Sequence, residues 1–213
     1  MADSRLYVHV VLDRSGSMED CRDKTIDAFN EYVNSLKSQS KAGTRLSLTT
    51  FDSESIDLVF DAQRITDVPK LTRDTYVPRA MTPLFDAIGK VVAQADKVTL
   101  LPDERVAIAI LTDGLENSSR ELKAEAVKKL LLDRQERCNW LVQYLGANQD
   151  AWSVGATIGV AAAHSLDFAA ASVGPAMEAM ASSVERYRSA PLPEARSRAK
   201  FTVVERKRSK GSA

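Results

Sequence analysis

An apolar run, Leu6-Tyr7-Val8-His9-Val10-Val11-Leu12, leads into Asp13-Arg14-Ser15-Gly16-Ser17 and then into an amphipathic stretch that begins near Met18. A run apolar on both faces suits a strand covered on both sides. The amphipathic stretch, with Cys21, Thr25, Phe29, Tyr32, Val33 and Leu36 at helical spacing, predicts a helix to about Ser38. A buried strand, a tight polar loop and a helix in that order commit the chain to an α/β architecture. They also place the loop at the carboxyl end of a strand, where open α/β sheets bind ligands.

The rest of the chain repeats this alternation. Thr44–Asp52 and Ser55–Ala62 read as a hairpin about Asp52-Ser53-Glu54-Ser55, with alternating apolar residues that suggest one wetter face. A long connection, residues 64–83, ends at Pro83, which suits the first turn of a helix. Leu84, Phe85, Ile88, Val91, Val92, Ala95 and Val98 form the apolar face of that second helix. Arg105–Thr112 reads as a central strand, residues 120–137 as a third helix, and 140–145 as the next strand. A short helix over 148–158, a small strand at Leu166-Asp167-Phe168 and a helix striped by Val173, Met177, Met180, Val184 and Tyr187 complete the pattern. The expected fold is a doubly wound, mostly parallel sheet with one antiparallel edge strand and helices on both faces.

Three polar positions stand at strand ends or helix starts: Asp13 with Ser15 and Ser17, then Thr82, then Asp113. Carboxylates and hydroxyls are hard oxygen donors of the kind that hold Mg²⁺, Mn²⁺ or Ca²⁺. A helix cap would account for one oxygen after the first strand, not for three spaced by two. Asp-x-Ser-x-Ser, then Thr, then Asp-Gly, on these elements and in this order, resembles the von Willebrand factor A domain and its metal ion-dependent adhesion site. The likeness spans about Leu6 to Tyr187. It implies a Rossmann-like fold and a Mg²⁺ (or Mn²⁺) ion bound by the Ser15 and Ser17 hydroxyls, joined by Thr82 in the ligand-bound arrangement, with Asp13 and Asp113 holding coordinating waters, or Asp113 binding directly when the site is without a ligand. It implies further that the cation is completed by an Asp or Glu of a partner protein. The surrounding rim is expected to include Arg14, Met18, Glu19, Tyr76, Arg79, Leu115, Glu116 and Asn117.

Charge and composition narrow the alternatives. With 29 basic and 29 acidic residues the net charge is zero, so no global field draws the chain to nucleic acid or a membrane. Cys21 and Cys138 have no metal-ligand spacing and form no disulfide framework. The start, Met1 to Arg5, lacks the pattern of a signal peptide, which favours a cytoplasmic, single-domain protein. The expected division is a domain over 1–190 and a basic tail over 191–213, solvated and partly disordered, with Phe201-Thr202-Val203-Val204 as a candidate short strand.

No catalytic residue is assigned, and the chain is read as a binding module rather than an enzyme. The competing readings are a metal-dependent hydrolase or phosphotransferase and a non-catalytic subunit of an ATPase-linked complex. An aspartyl-nucleophile phosphatase would place a second aspartate at position 15, where this chain has Ser15. There is no Gly-x-x-x-x-Gly-Lys-Ser/Thr loop for nucleotide phosphates. His9 and His164 are the only histidines, and His9 falls within a buried-strand pattern.

Overall fold

The computed structural model describes residues 5–39, 43–97, 104–147, 150–169 and 172–211. Among these, six strands form one sheet in the order β3-β2-β1-β4-β5-β6. They are β1 (Leu6–Asp13), β2 (Thr44–Phe51), β3 (Ile56–Arg64), β4 (Arg105–Thr112), β5 (Leu141–Ala147) and β6 (Ser165–Phe168). All neighbours pair parallel except β2 and β3, which are antiparallel. The expected doubly wound sheet with one antiparallel edge is therefore what the chain forms.

Seven α-helices cover the sheet among the described residues: α1 (Arg22–Gln39), α2 (Leu84–Ala95), α3 (Ala124–Arg137), α4 (Ala151–Thr157), α5 (Val173–Ser189), α6 (Leu192–Arg198) and α7 (Val203–Ser209). Strand side chains alternate between two cores. Leu6, Val8, Val10 and Leu12 face α1 and α5, where Phe29, Tyr32, Met177, Met180 and Tyr187 are buried. Tyr7 and Val11 face the opposite layer, with Ile88 and Val92 of α2 and Val127 and Leu131 of α3. Burial on both faces explains why β1 and β4 are apolar along most of their length: every residue of either strand is buried. Chain order reverses between β1 and β4, so their carboxyl ends flank the topological switch point.

Several boundaries differ from the pattern reading. The first helix divides into a 3-10 helix, Gly16–Cys21, and α1. Three residues per turn align Met18 with Cys21, and both are buried while Ser17 and Asp20 stay exposed. The third helix starts at Ala124 rather than near Arg120. The Asp86 carboxylate accepts the amides of Arg120 (2.7 Å), Glu121 and Leu122 (2.8 Å) and holds that segment as a loop. Leu122 then packs over Gly89, where a Cβ would collide with its methyl group. β2 is almost wholly buried despite its alternating composition, because β3 takes the wet edge. Val98 and Asn148, which entered the expectations above, lie outside the described residues.

The basic C-terminal segment departs most. Residues 203–204 begin a helix, not a strand, and a capping box between Thr202 and Glu205 starts it. Ala195, Ala199 and Phe201 are buried in the α1/α5 core, so 192–209 packs as part of the body and not as a solvated tail. The Ser183 hydroxyl donates to the Ala199 carbonyl, and Arg186 pairs with Glu205 at 2.9 Å. The apolar positions in this segment are few: Ala195, Ala199 and Phe201 are buried, while Val203 and Val204 stay exposed.

Candidate metal centre

Three loops meet at the carboxyl ends of β1 and β4. The first, after β1, carries Ser15 and Ser17; the second, before α2, carries Thr82; the third, after β4, carries Asp113. Main-chain bonds tie the first two: the Gly16 amide donates to the Ala80 carbonyl (3.0 Å) and the Arg79 amide to the Arg14 carbonyl (2.8 Å). Ala80 takes a left-handed conformation, φ 59°, an uncommon backbone for a residue with a Cβ. Asn117 clamps the second loop to the third. Its side-chain oxygen accepts the Thr82 amide (2.9 Å) and its own amide donates to the Thr82 carbonyl (3.1 Å).

The five oxygen-bearing side chains come together. The Asp13 Oδ1 atom accepts the Ser15 amide at 2.7 Å. Ser15 Oγ and Ser17 Oγ are 3.2 Å apart, and Ser17 Oγ donates to Asp113 Oδ1 at 2.6 Å. A Cβ on Gly114 would stand 2.8 Å from Thr82 Oγ1 and 3.6 Å from Asp13 Oδ2, so glycine there leaves room for both oxygens. Asp13, Ser15 and Thr82 are buried, Asp113 is half-buried and Ser17 is exposed, which makes the cluster a recess open on one side.

Its electrostatics are unbalanced. Among the described residues no lysine or arginine pairs with Asp13 or Asp113. Burial pushes the Asp13 carboxyl up to about 6 against the opposing bonds from the Thr112 hydroxyl and from Ser15, and the nearby Asp113 charge pushes the same way. Burial likewise raises Asp113, with the charge of Asp20 adding to it. Two carboxylates and three hydroxyls without a counter-charge fit a hard divalent cation. No three His, Cys, Asp or Glu side chains among the described residues group tightly enough to hold a metal by themselves, so a cation here would depend on the hydroxyls.

The residues expected on the rim divide by exposure. Glu19, Arg79, Leu115 and Asn117 are exposed, and Glu116 is half-buried. Met18 and Tyr76 are not on it: both are wholly buried. Met18 fills the core beneath the 3-10 helix. Tyr76 passes under the first loop and donates to the Asp13 carbonyl at 2.6 Å, so it supports the site from below. Glu116 accepts the amides of Ser118 and Ser119 in its own loop and of Phe85 in the first turn of α2. Arg14 is directed at Asp52 and Asp57, both at 2.6 Å, rather than at solvent. In place of the buried pair, Met81 and Val77 are exposed at 54% and 47% and join Leu115, at 60%, as the large apolar side chains near the site.

Pattern reasoning missed Thr112, whose hydroxyl donates to Asp13 Oδ2 and accepts the Gly114 amide at 3.0 Å. A polar residue closing an otherwise apolar strand was its signal. It also missed Asp52, which looked like an ordinary turn residue.

No protein-family model and no curated protein sequence matches the chain. Solved structures do. The vWF domain of the type V pili tip protein Mfa5 from Porphyromonas gingivalis superposes with a TM-score of 0.64 at 11% identity, over 90% of this chain and 98% of that one. The fold is that of a von Willebrand factor A domain. Proximal thread matrix protein 1 from the mussel byssus, in a structure with a zinc-occupied MIDAS motif, matches with a TM-score of 0.59 at 13% identity and 83% coverage of this chain. This chain spans 47% of that mussel chain. The manganese-loaded TRAP protein of Plasmodium vivax matches with a TM-score of 0.58 at 15% identity, over 82% of this chain and 72% of that one. At these identities the likeness is one of fold.

Proposed function

We propose that this chain is a divalent-cation-dependent protein-binding module. Ser15, Ser17 and Thr82 would offer hydroxyls to Mg²⁺ or Mn²⁺, with Asp13 and Asp113 supplying the charge. The observation that carries the reading is the convergence, from three separate loops on one open recess, of three hydroxyls and two carboxylates that have no basic partner among the described residues. The zinc-occupied motif of the mussel protein and the manganese-loaded TRAP protein support a divalent ion on this fold.

A bound cation would act as an electrophilic anchor. Neutral hydroxyls leave much of its charge uncompensated, so an outside carboxylate, an Asp or Glu of a partner, is the group it attracts. Met81, Val77 and Leu115 would contribute apolar contact around that anchor, and Glu19, Arg79 and Asn117 polar contact. Chemistry on a bound substrate has less support. His9 and His164 are both buried, and each is held neutral, at about 4, chiefly by that burial. No described helix is long and apolar enough to cross a membrane.

The test is capture of a protein partner in Mg²⁺ followed by elution with EDTA. Release by the chelator, and no capture by Asp13→Ala, are expected. Equal capture by the chelated and substituted proteins overturns the reading.

A further inference from the structure

Asp52 begins the turn between β2 and β3 and is 1% exposed. Its Oδ1 atom accepts the amides of Glu54 (2.7 Å) and Ser55 (3.0 Å), which is all that a turn aspartate requires. Its Oδ2 atom is surplus to the turn. That oxygen accepts Arg14 Nε at 2.6 Å and Arg79 Nε at 3.0 Å. Arg14 stands between Asp13 and Ser15 on the first loop, and Arg79 stands three residues before Thr82 on the second.

We infer that Asp52 is a positioning residue of the cation site, whose single carboxylate sets the separation between the loop carrying Ser15 and Ser17 and the loop carrying Thr82. Asp52 has this role only if the cation reading above holds. Charge-assisted bonds from two guanidiniums to one buried oxygen are strong and directional. The main chain adds to the tether: the Ser53 amide donates to the Met81 carbonyl (2.9 Å), and the Met81 amide to Ser53 Oγ (3.1 Å). The hairpin turn therefore acts as a bracket, fastened to both loops but bearing none of the five oxygens. Burial alone would raise the Asp52 carboxyl; the Ser55 and Glu54 amides and the two guanidiniums outweigh it and hold the group below the usual carboxylate range.

Asp52→Asn separates the two roles, because an amide oxygen can still serve the turn while the charge that holds the arginines is gone. Arg79→Ala cuts the tether from the exposed end, at a side chain 45% exposed whose loss leaves the core intact. The experiment is Mn²⁺ titration of the full chain, followed by electron paramagnetic resonance of the free ion. Wild type, Asp52→Asn and Arg79→Ala are compared, each also in a Thr82→Ala background. Asp52→Asn and Arg79→Ala are each expected to weaken Mn²⁺ binding by roughly 10- to 100-fold. With Thr82 already removed, neither should weaken it further. Wild-type affinity in both single variants overturns the role of Asp52 while leaving the site intact. So does an equal loss with and without Thr82, which would make Asp52 a general support of the fold. Absence of Mn²⁺ binding by the wild type overturns the cation reading itself, and the role of Asp52 falls with it. If Asp52→Asn does not fold, Arg79→Ala decides the question.

Discussion

Two regions of this molecule are rich in charge and use it in opposite ways. At the loops beyond β1 and β4, Asp13 and Asp113 have no basic partner among the described residues. In the C-terminal segment bases prevail, but many are engaged. Arg208 pairs with Glu178, Lys210 with Asp167 and Arg198 with Glu194, and Arg206 donates to the carbonyls of Ser165 and Ala162. A run of charge in a sequence says little about function until the counter-charges are located. Acids left uncompensated in a recess call for a ligand; bases already paired fasten one helix to the next.

The sharpest way to break the contrast is Asp13→Ala. With Mn²⁺ at about 100 times its dissociation constant, binding should stabilise the wild type by about 2.7 kcal/mol, and Asp13→Ala should lose that increment entirely in thermal denaturation. No substitution in the C-terminal segment should touch it. In reverse, Phe201→Ala should cost about 3–5 kcal/mol of stability in urea, because the ring is only 6% exposed and seats α7 on the core. A loss below about 1 kcal/mol there would return the segment to the status of a loose tail.

Acid sharpens the comparison further. His164 is buried beside Arg196, Lys200 and Arg206, and desolvation, then those charges, depress it from 6.5 to about 4. The unfolded chain takes up that proton first, so this contribution is complete above pH 6.5 and declines as pH falls toward 4. It amounts to at most about 3 kcal/mol. Denaturation midpoints measured across that window should fall with pH, and His164→Gln should flatten the slope. The smallest effect is expected of Arg208→Ala. Its pair with Glu178 is more than half exposed on both sides, so stability should change by no more than about 0.5 kcal/mol.

Much of the fold was legible because burial on two faces leaves a direct trace in composition. Leu6–Leu12 and Val106–Leu111 read as central strands, and they are. The convergence of Asp13, Ser15, Ser17, Thr82 and Asp113 was legible through their likeness to the A-domain motif, supported by their places at strand ends and helix starts. What failed was whatever depended on partners far away in sequence. Tyr76 and Met18 stand beside the site in the chain, but their side chains turn inward, and nothing local records that. Asp52 looked like a turn because its arginines lie 38 residues before it and 27 after. The C-terminal helices were hidden by length: seven residues each, with apolar positions too few to show a period.

The cross-ties between Gly16 and Ala80 and between Arg79 and Arg14 are made by backbone atoms alone. Those two ties do not depend on which side chains the loops carry. Met81, Val77, Leu115 and Glu19 can change identity without disturbing those two ties, so a lineage, or a designer, can rewrite the surroundings of the recess while keeping its hinge-pins.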